Sequence, residues 1–105
     1  MKIRPITILS GATATGAGSA FGPFENDTAT FQASGATSSG AGAATVKIQV
    51  SNDGTNWIDI GEISLTLATT ASSDGFAAYA PWAFIRANVT AISGTGASVS
   101  VTIGV

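Results

Sequence analysis

One stretch, Val46–Leu67 (VKIQVSNDGTNWIDIGEISLTL), constrains this chain more than any other. Val46, Ile48 and Val50 alternate with Lys47 and Gln49, a period of two that gives one apolar face and one wet face. The run Ser51-Asn52-Asp53-Gly54-Thr55-Asn56 is turn chemistry, because Asn, Asp and Ser bond the local backbone and Gly accepts positive φ. Asp53-Gly54 between two alternating runs predicts a β-hairpin. The return strand opens at Trp57, with Ile58 and Ile60 on one face and Trp57 and Asp59 on the other. Beyond it the apolar residues are Ile63, Leu65 and Leu67, so the phase has slipped by one residue. A β-bulge or sharp bend near Gly61-Glu62 restores it. Trp57, just after the turn, is expected to cap one end of the core.

Other segments carry the same period. Met1–Ser10 reads as a first strand or an extended arm, with Ile6 and Ile8 on one face and Thr7 and Leu9 on the other; Pro5 excludes a central strand there. Gly11–Phe24 is Gly/Ala-rich, a loop or a weak strand near Ala12–Thr15, with Phe21 and Phe24 as anchors around the Gly22-Pro23 turn. Thr28–Ser34 points Ala29, Phe31 and Ala33 inward, and Gly35–Ala44 reads as a flexible loop. Ala68–Gly75 is expected to be a loop closed by an Asp74-Gly75 turn, followed by a short strand over Phe76–Ala80 that Pro81-Trp82 breaks. Ala83–Ile92 sets Ile85, Ala87, Val89 and Ala91 against Arg86, Asn88 and Thr90. A Ser93–Gly96 turn leads into Ala97–Val105, where Val99, Val101, Ile103 and Val105 share a face. These segments predict an all-β fold, an antiparallel β-sandwich or jelly roll of about seven to eight strands. The expected organisation is an N-terminal strand or arm over residues 1–10 and a single sandwich domain over 11–105.

Composition narrows the chemistry. The chain has 105 residues, 4 of them Lys or Arg and 6 Asp or Glu, for a net charge of −2. That excludes the clustered cations that nucleic-acid binding needs. A surface with so little charge suits a protein packed in an assembly better than a free monomer. His and Cys are both missing, which removes the usual general base, the thiol nucleophile and the commonest transition-metal ligands. Asp59 and Glu62 lie on a bulged strand with no cleft-forming insertion, so no enzyme and no cofactor are expected. Asn52, Asp53, Asn56 and Asp59 carry oxygens that suit calcium, but their spacing misses the EF-hand loop; no metal is expected, and the segment reads as a hydrogen-bonded turn. Trp57, Tyr79 and Trp82 form a sugar platform only if their rings are exposed on one face. Arg86, the one cation inside a strong strand, is expected to pair with Asp59 or Asp53. No run approaches the ~18 apolar residues of a membrane span, and the apolar run of MKIRPITILSGATA is too short for a signal peptide.

Three segments carry a resemblance: Val50–Trp57 (VSNDGTNW), Ala83–Thr90 (AFIRANVT) and Ile92–Val99 (ISGTGASV). Their order, a turn before Trp, a Pro-aromatic step, an IRxNVT-like strand and a Ser-Gly-Thr turn into the last strand, resembles small virion proteins of tailed bacteriophages. Among these the chain looks most like a capsid decoration, or cement, protein. The resemblance covers about half of the chain and leaves Met1–Ala44 unmatched. It implies a β-sandwich on the outer capsid surface of the virion, bound to the major capsid protein as a homo-oligomer, a trimer foremost, with no catalysis and no contact with nucleic acid or membrane. Position in the chain nominates Lys2, Arg4, Ile6, Ile8, Tyr79 and Trp82 for contacts with the capsid or a neighbouring subunit. Asn52, Asp53, Gly54, Trp57 and Arg86 are the structural hairpin residues. The alternative is a tail- or fibre-associated sandwich that binds host carbohydrate.

Overall fold

The computed structural model describes residues 3–23 and 27–105. Lys2 and Phe24, assigned roles above, lie outside the described residues. Eight strands form: β1 (Pro5–Ala12), β2 (Gly16–Ala17), β3 (Thr28–Ala36), β4 (Ser39–Ser51), β5 (Ile58–Leu67), β6 (Ser72–Tyr79), β7 (Phe84–Thr95) and β8 (Ser98–Gly104). They make two four-stranded sheets, ordered β1-β8-β3-β6 and β2-β7-β4-β5. Every pairing is antiparallel.

The order follows from the central hairpin. β4 and β5 pair across the Ser51–Trp57 turn, then β3 pairs with β6, β2 with β7 and β1 with β8. The chain is one long antiparallel ribbon, closed at the predicted turn and rolled so that successive rungs alternate between sheets. That is the eight-stranded jelly roll. Between the sheets lie Phe31, Val46, Ile48, Val50, Ile63, Leu67, Ile85, Val89, Val99, Val101 and Ile103, all fully buried. The Phe31 and Phe76 rings meet at 5.1 Å between centroids, tilted by 37°.

Of the five register shifts among the described strands, three correct the simple alternation. On β5, Gln49 faces Asp59 and Ile48 faces Gly61, so Ile60 is the extra residue. The predicted bulge is present, one position before Gly61-Glu62. On β7, Thr45 faces Ala91 and Val46 faces Val89, so Thr90 is extra. Ala91 is therefore exposed rather than inward, and Ile92 takes the position opposite buried Ala44. On β1, Thr7 faces Thr102 and Leu9 faces Val101, so Ile8 is extra. The bulge lets both Ile8 and Leu9 pack on the core, instead of on opposite faces.

Three segments differ from the sequence reading more deeply. The supposed loop Gly35–Ala44 is the end of β3, a tight corner at Thr37-Ser38 and the start of β4. Two of its glycines are packing requirements: a Cβ on Gly35 would lie 2.7 Å from the Ser98 carbonyl oxygen, and one on Gly42 would strike the Ser93 carbonyl and come within 3.0 Å of Thr37 Cγ2. Asp74-Gly75 is no turn but the middle of β6, where a Cβ on Gly75 would strike the Phe31 carbonyl of the adjoining strand. The weak strand expected near Ala12–Thr15 is displaced to Gly16–Ala17, after the chain has crossed from one sheet to the other.

Candidate functional site

The turn at the ribbon's tip is a closed hydrogen-bond knot. Ser51, 1% exposed, donates from Oγ to Asp53 Oδ1 at 2.8 Å and accepts from the Gly54 N–H at 2.9 Å. Asp53 Oδ1 accepts the N–H groups of Thr55 and Asn56 at 2.9 and 2.8 Å, and Oδ2 accepts from Asn56 Nδ2 at 2.9 Å. The Asn56 donors above all, then Thr55 and Ser51, hold the Asp53 carboxyl well below the usual carboxylate range. Gly54 supplies the φ of 74° the turn needs. Asn52 reaches across the end of the sandwich, accepting the Ala83 N–H at 3.1 Å. Of the oxygens considered for calcium, Asn52 Oδ1 and both carboxylate oxygens of Asp53 thus face N–H donors.

Arg86 does not form the expected ion pair. Its Nε donates to Gln49 Oε1 at 2.8 Å, and its guanidinium lies 4.2 Å from the centre of the Trp57 ring. Gln49 Nε2 donates in turn to Asp59 Oδ1 at 2.8 Å, while Lys47 Nζ sits 3.3 Å from Asp59 Oδ2. The reason is register: Gln49 stands directly between Arg86 on β7 and Asp59 on β5, so the amide separates the two charges and bonds both. The Gln49 bond, and then Lys47, lower the Asp59 pKa. Trp57 points outward beneath Arg86, not over the end of the core as its position suggested.

The three aromatics considered for a platform do not share a face. Trp57 belongs to this strip on β7, β4 and β5; Tyr79, 70% exposed, ends β6 on the other sheet; Trp82 packs partly buried against the core. Among the nominated contacts, Ile8 is 7% exposed and committed to the core, so its side chain offers no surface; Ile6 is half-buried against the same core. Arg4 is exposed and exchanges backbone hydrogen bonds with Val105, at 2.6 and 2.9 Å. Phe21 packs against the core from the loop, as its anchor role requires.

The two broad faces differ sharply in chemistry. The outer face of β2-β7-β4-β5 carries Lys47, Asp59, Glu62 and Arg86. The outer face of β1-β8-β3-β6 has no charged side chain among the described residues. Across it run Thr7, Thr102, Gln32 and Gly75 in one row, and Ser100, Ser34 and Ser73 in the next. Ser34 and Ser73 hydrogen-bond each other at 2.7 Å. Thr30, beside Ala77 and Gly104, extends the pattern toward exposed Tyr79. A shallow groove runs over Gly75 between Thr30, Gln32 and Ser73. Period two was legible in each strand, but only the strand order shows that these Ser, Thr and Gln side chains form one neutral surface.

No family model matches the chain, and no curated protein matches it. Two solved structures are similar in fold. The PBSX exported protein XepA superposes with a TM-score of 0.62 at 9% identity, over 96% of this chain and 36% of that one. A structure described as "CBM4 structure and function" gives 0.51 at 11% identity, over 81% of this chain and 53% of the other. The chain spans about a third of the first protein and half of the second. At these identities the likeness shows the β-sandwich alone.

Proposed function

We propose that this chain is a structural virion protein that decorates and stabilises a bacteriophage capsid, docking on the outer surface of the shell through the uncharged face of β1-β8-β3-β6. The observation that carries this reading is the separation of charge between the two faces. Interface centres are depleted in charged residues, and short Ser, Thr and Ala side chains lose little rotamer freedom when ordered. The face is modest in size. Four strands about 4.8 Å apart and about seven residues long project roughly 450 Å², against about 800 Å² per partner in a stable complex. One copy then binds weakly, and occupancy comes from several copies, a trimer foremost, bound at symmetric positions. The charged face is left to solvent, and the role requires no catalysis, cofactor, nucleic acid or membrane.

The test mixes purified protein with phage heads prepared without it, followed by sedimentation and imaging. Saturable uptake at symmetric positions, lost in Gln32→Lys and retained in Glu62→Gln, is the expected result. Uptake indifferent to Gln32→Lys, or no uptake at all, refutes the assignment.

A second reading has its own observation. The Arg86–Gln49–Asp59 strip beside Trp57 is a polar row flanked by an aromatic ring on an open sheet face, a layout that suits a host carbohydrate. Glycan binding abolished by Trp57→Ala, with the fold intact, favours it. Trp82→Ala is uninformative there, because Trp82 packs on the core.

A further inference from the structure

A jelly roll leaves two edges on each sheet, and three of the four here are interrupted. β1 opens with Pro5 and bulges twice, β5 bulges at Ile60, and β2 is two residues long. β6 is different: it pairs with β3 from Ser72 to Tyr79 without a shift of register. Two bonds show how its backbone is divided. Ala80 N–H donates to the Asp27 carbonyl, toward β3, at 2.7 Å. Gly75 N–H instead donates to Asp74 Oδ1 at 2.8 Å. By the alternation of antiparallel strands, the even residues of β6 bond β3, and Ser73, Gly75, Ala77 and Tyr79 turn their N–H and C=O groups to the open side. Asp74 is the one charged residue of the strand. It pairs with fully buried Ala33, so it starts from the core face and folds its carboxylate over the edge.

We propose that β6 is an edge able to join two copies of this chain, antiparallel about a two-fold axis at Phe76, and that Asp74 holds it closed. The second copy is the occupant because the edge is complementary to itself. With the axis at Phe76, Ser73 faces the partner's Tyr79 and Gly75 faces the partner's Ala77. All four open residues then pair, for about eight inter-chain hydrogen bonds. The two Asp74 side chains stand about 14 Å apart, beyond the Debye length at physiological salt, so they do not repel strongly. The obstacle is local. Pairing needs the Gly75 N–H for the partner's Ala77 carbonyl, and freeing it leaves the Asp74 carboxylate at the seam without its donor. A charge at the centre of an edge strand is a recognised guard against such pairing. The joining does not depend on what the uncharged face binds.

Sedimentation of the purified full chain tests this. Asp74→Ala is expected to form an assembly twice the mass of the wild-type species, with self-association at least about tenfold tighter. Adding Ala77→Pro, which removes one open N–H and no bond to β3, returns the mass to the wild-type value. Near-UV circular dichroism checks that each variant is folded. Should the proline variant unfold, hydrogen exchange on Asp74→Ala substitutes for it: association protects the amides of Ser73, Ala77 and Tyr79. Wild-type mass for Asp74→Ala, persistence of the assembly with Ala77→Pro, or association without that protection overturns the proposal.

Discussion

Gly61 offers the sharpest test of how the two sheets fit together. A Cβ placed on it would collide with Phe76 Cζ and lie 2.8 and 3.0 Å from Cε2 and Cε1. Gly61 has no positive φ, so its lack of a side chain serves the Phe76 ring and not the backbone. In Gly61→Ala the ring must swing away from Phe31, with which it makes the 5.1 Å pair. Overpacking costs about 1–3 kcal/mol, and losing the aromatic pair about 0.5–1.5 kcal/mol. The lower backbone entropy of alanine in the unfolded chain returns about 0.4–1 kcal/mol. The expected net loss is about 1–3 kcal/mol, with Tm falling by about 4–8 °C per kcal/mol. Phe76→Leu vacates the space the new methyl needs and by itself costs up to about 1.5 kcal/mol. The double variant should therefore recover at least about 1 kcal/mol relative to the sum of the singles, measured by urea denaturation of all four proteins. Strict additivity would refute the reasoning, because it would mean that the ring and the glycine do not share that space.

Three other perturbations follow from the site geometry. Ser51→Ala leaves the turn donors of buried Ser51 without their acceptor and should cost about 1–3 kcal/mol by denaturant titration. Arg86→Leu should keep the fold, lose roughly 0.5–1 kcal/mol, and change Trp57 fluorescence as the ring is uncovered; an unchanged spectrum contradicts the stacking. Asp53 and Asp59 both have depressed folded-state pKa values, so their contribution to stability is fully present above the unfolded value near 3.9 and is lost as pH falls through the folded one. Carboxyl shifts followed by NMR should show Asp53 still ionised at pH about 3, whereas an ordinary midpoint near 3.9 would mean that the knot is open in solution.

What the sequence disclosed and what it hid divide along a physical line. The Val46–Leu67 hairpin was legible because its signals are local: the turn residues bond within five positions of one another, and alternation reports the buried face directly. The phase slip also announced the bulge, although the alternation does not say which residue is extruded, and Ile60 rather than Gly61-Glu62 proved to be the one. The two segments misread as loop or turn, Gly35–Ala44 and Ala68–Gly75, both contain glycines that the sequence reading assigned to turns. Gly42 and Gly75 look like turn glycines, yet each stands where the backbone of an adjoining strand comes too close for a Cβ. Asp74-Gly75 is the clearest case, since the same Asp-to-backbone bond that closes a turn here covers an open strand edge. Local chemistry is identical in the two settings; only the partner strand distinguishes them.

The same distinction governs the candidate site. Arg86 was correctly placed on a wet face opposite Ile85, but its partner depended on which strand lay next to β7 and in which register, information that no single strand contains. Gln49 is invisible as a site residue in the sequence, because an isolated glutamine on a strand carries no pattern. It becomes the centre of a three-strand network only when β5 and β7 flank β4. The neutral face arises in the same way from Thr7, Gln32, Ser34, Ser73 and Thr102, drawn from four strands far apart in the chain. Charge was sparse everywhere in the sequence, but that none of it among the described residues stands on one outer face follows from the order β1-β8-β3-β6. A rearranged order with the same strands would scatter the charged and neutral side chains over both faces. The surface on which the proposed function rests is therefore a property of the topology, and a single lysine at Gln32 is enough to ask whether that surface matters.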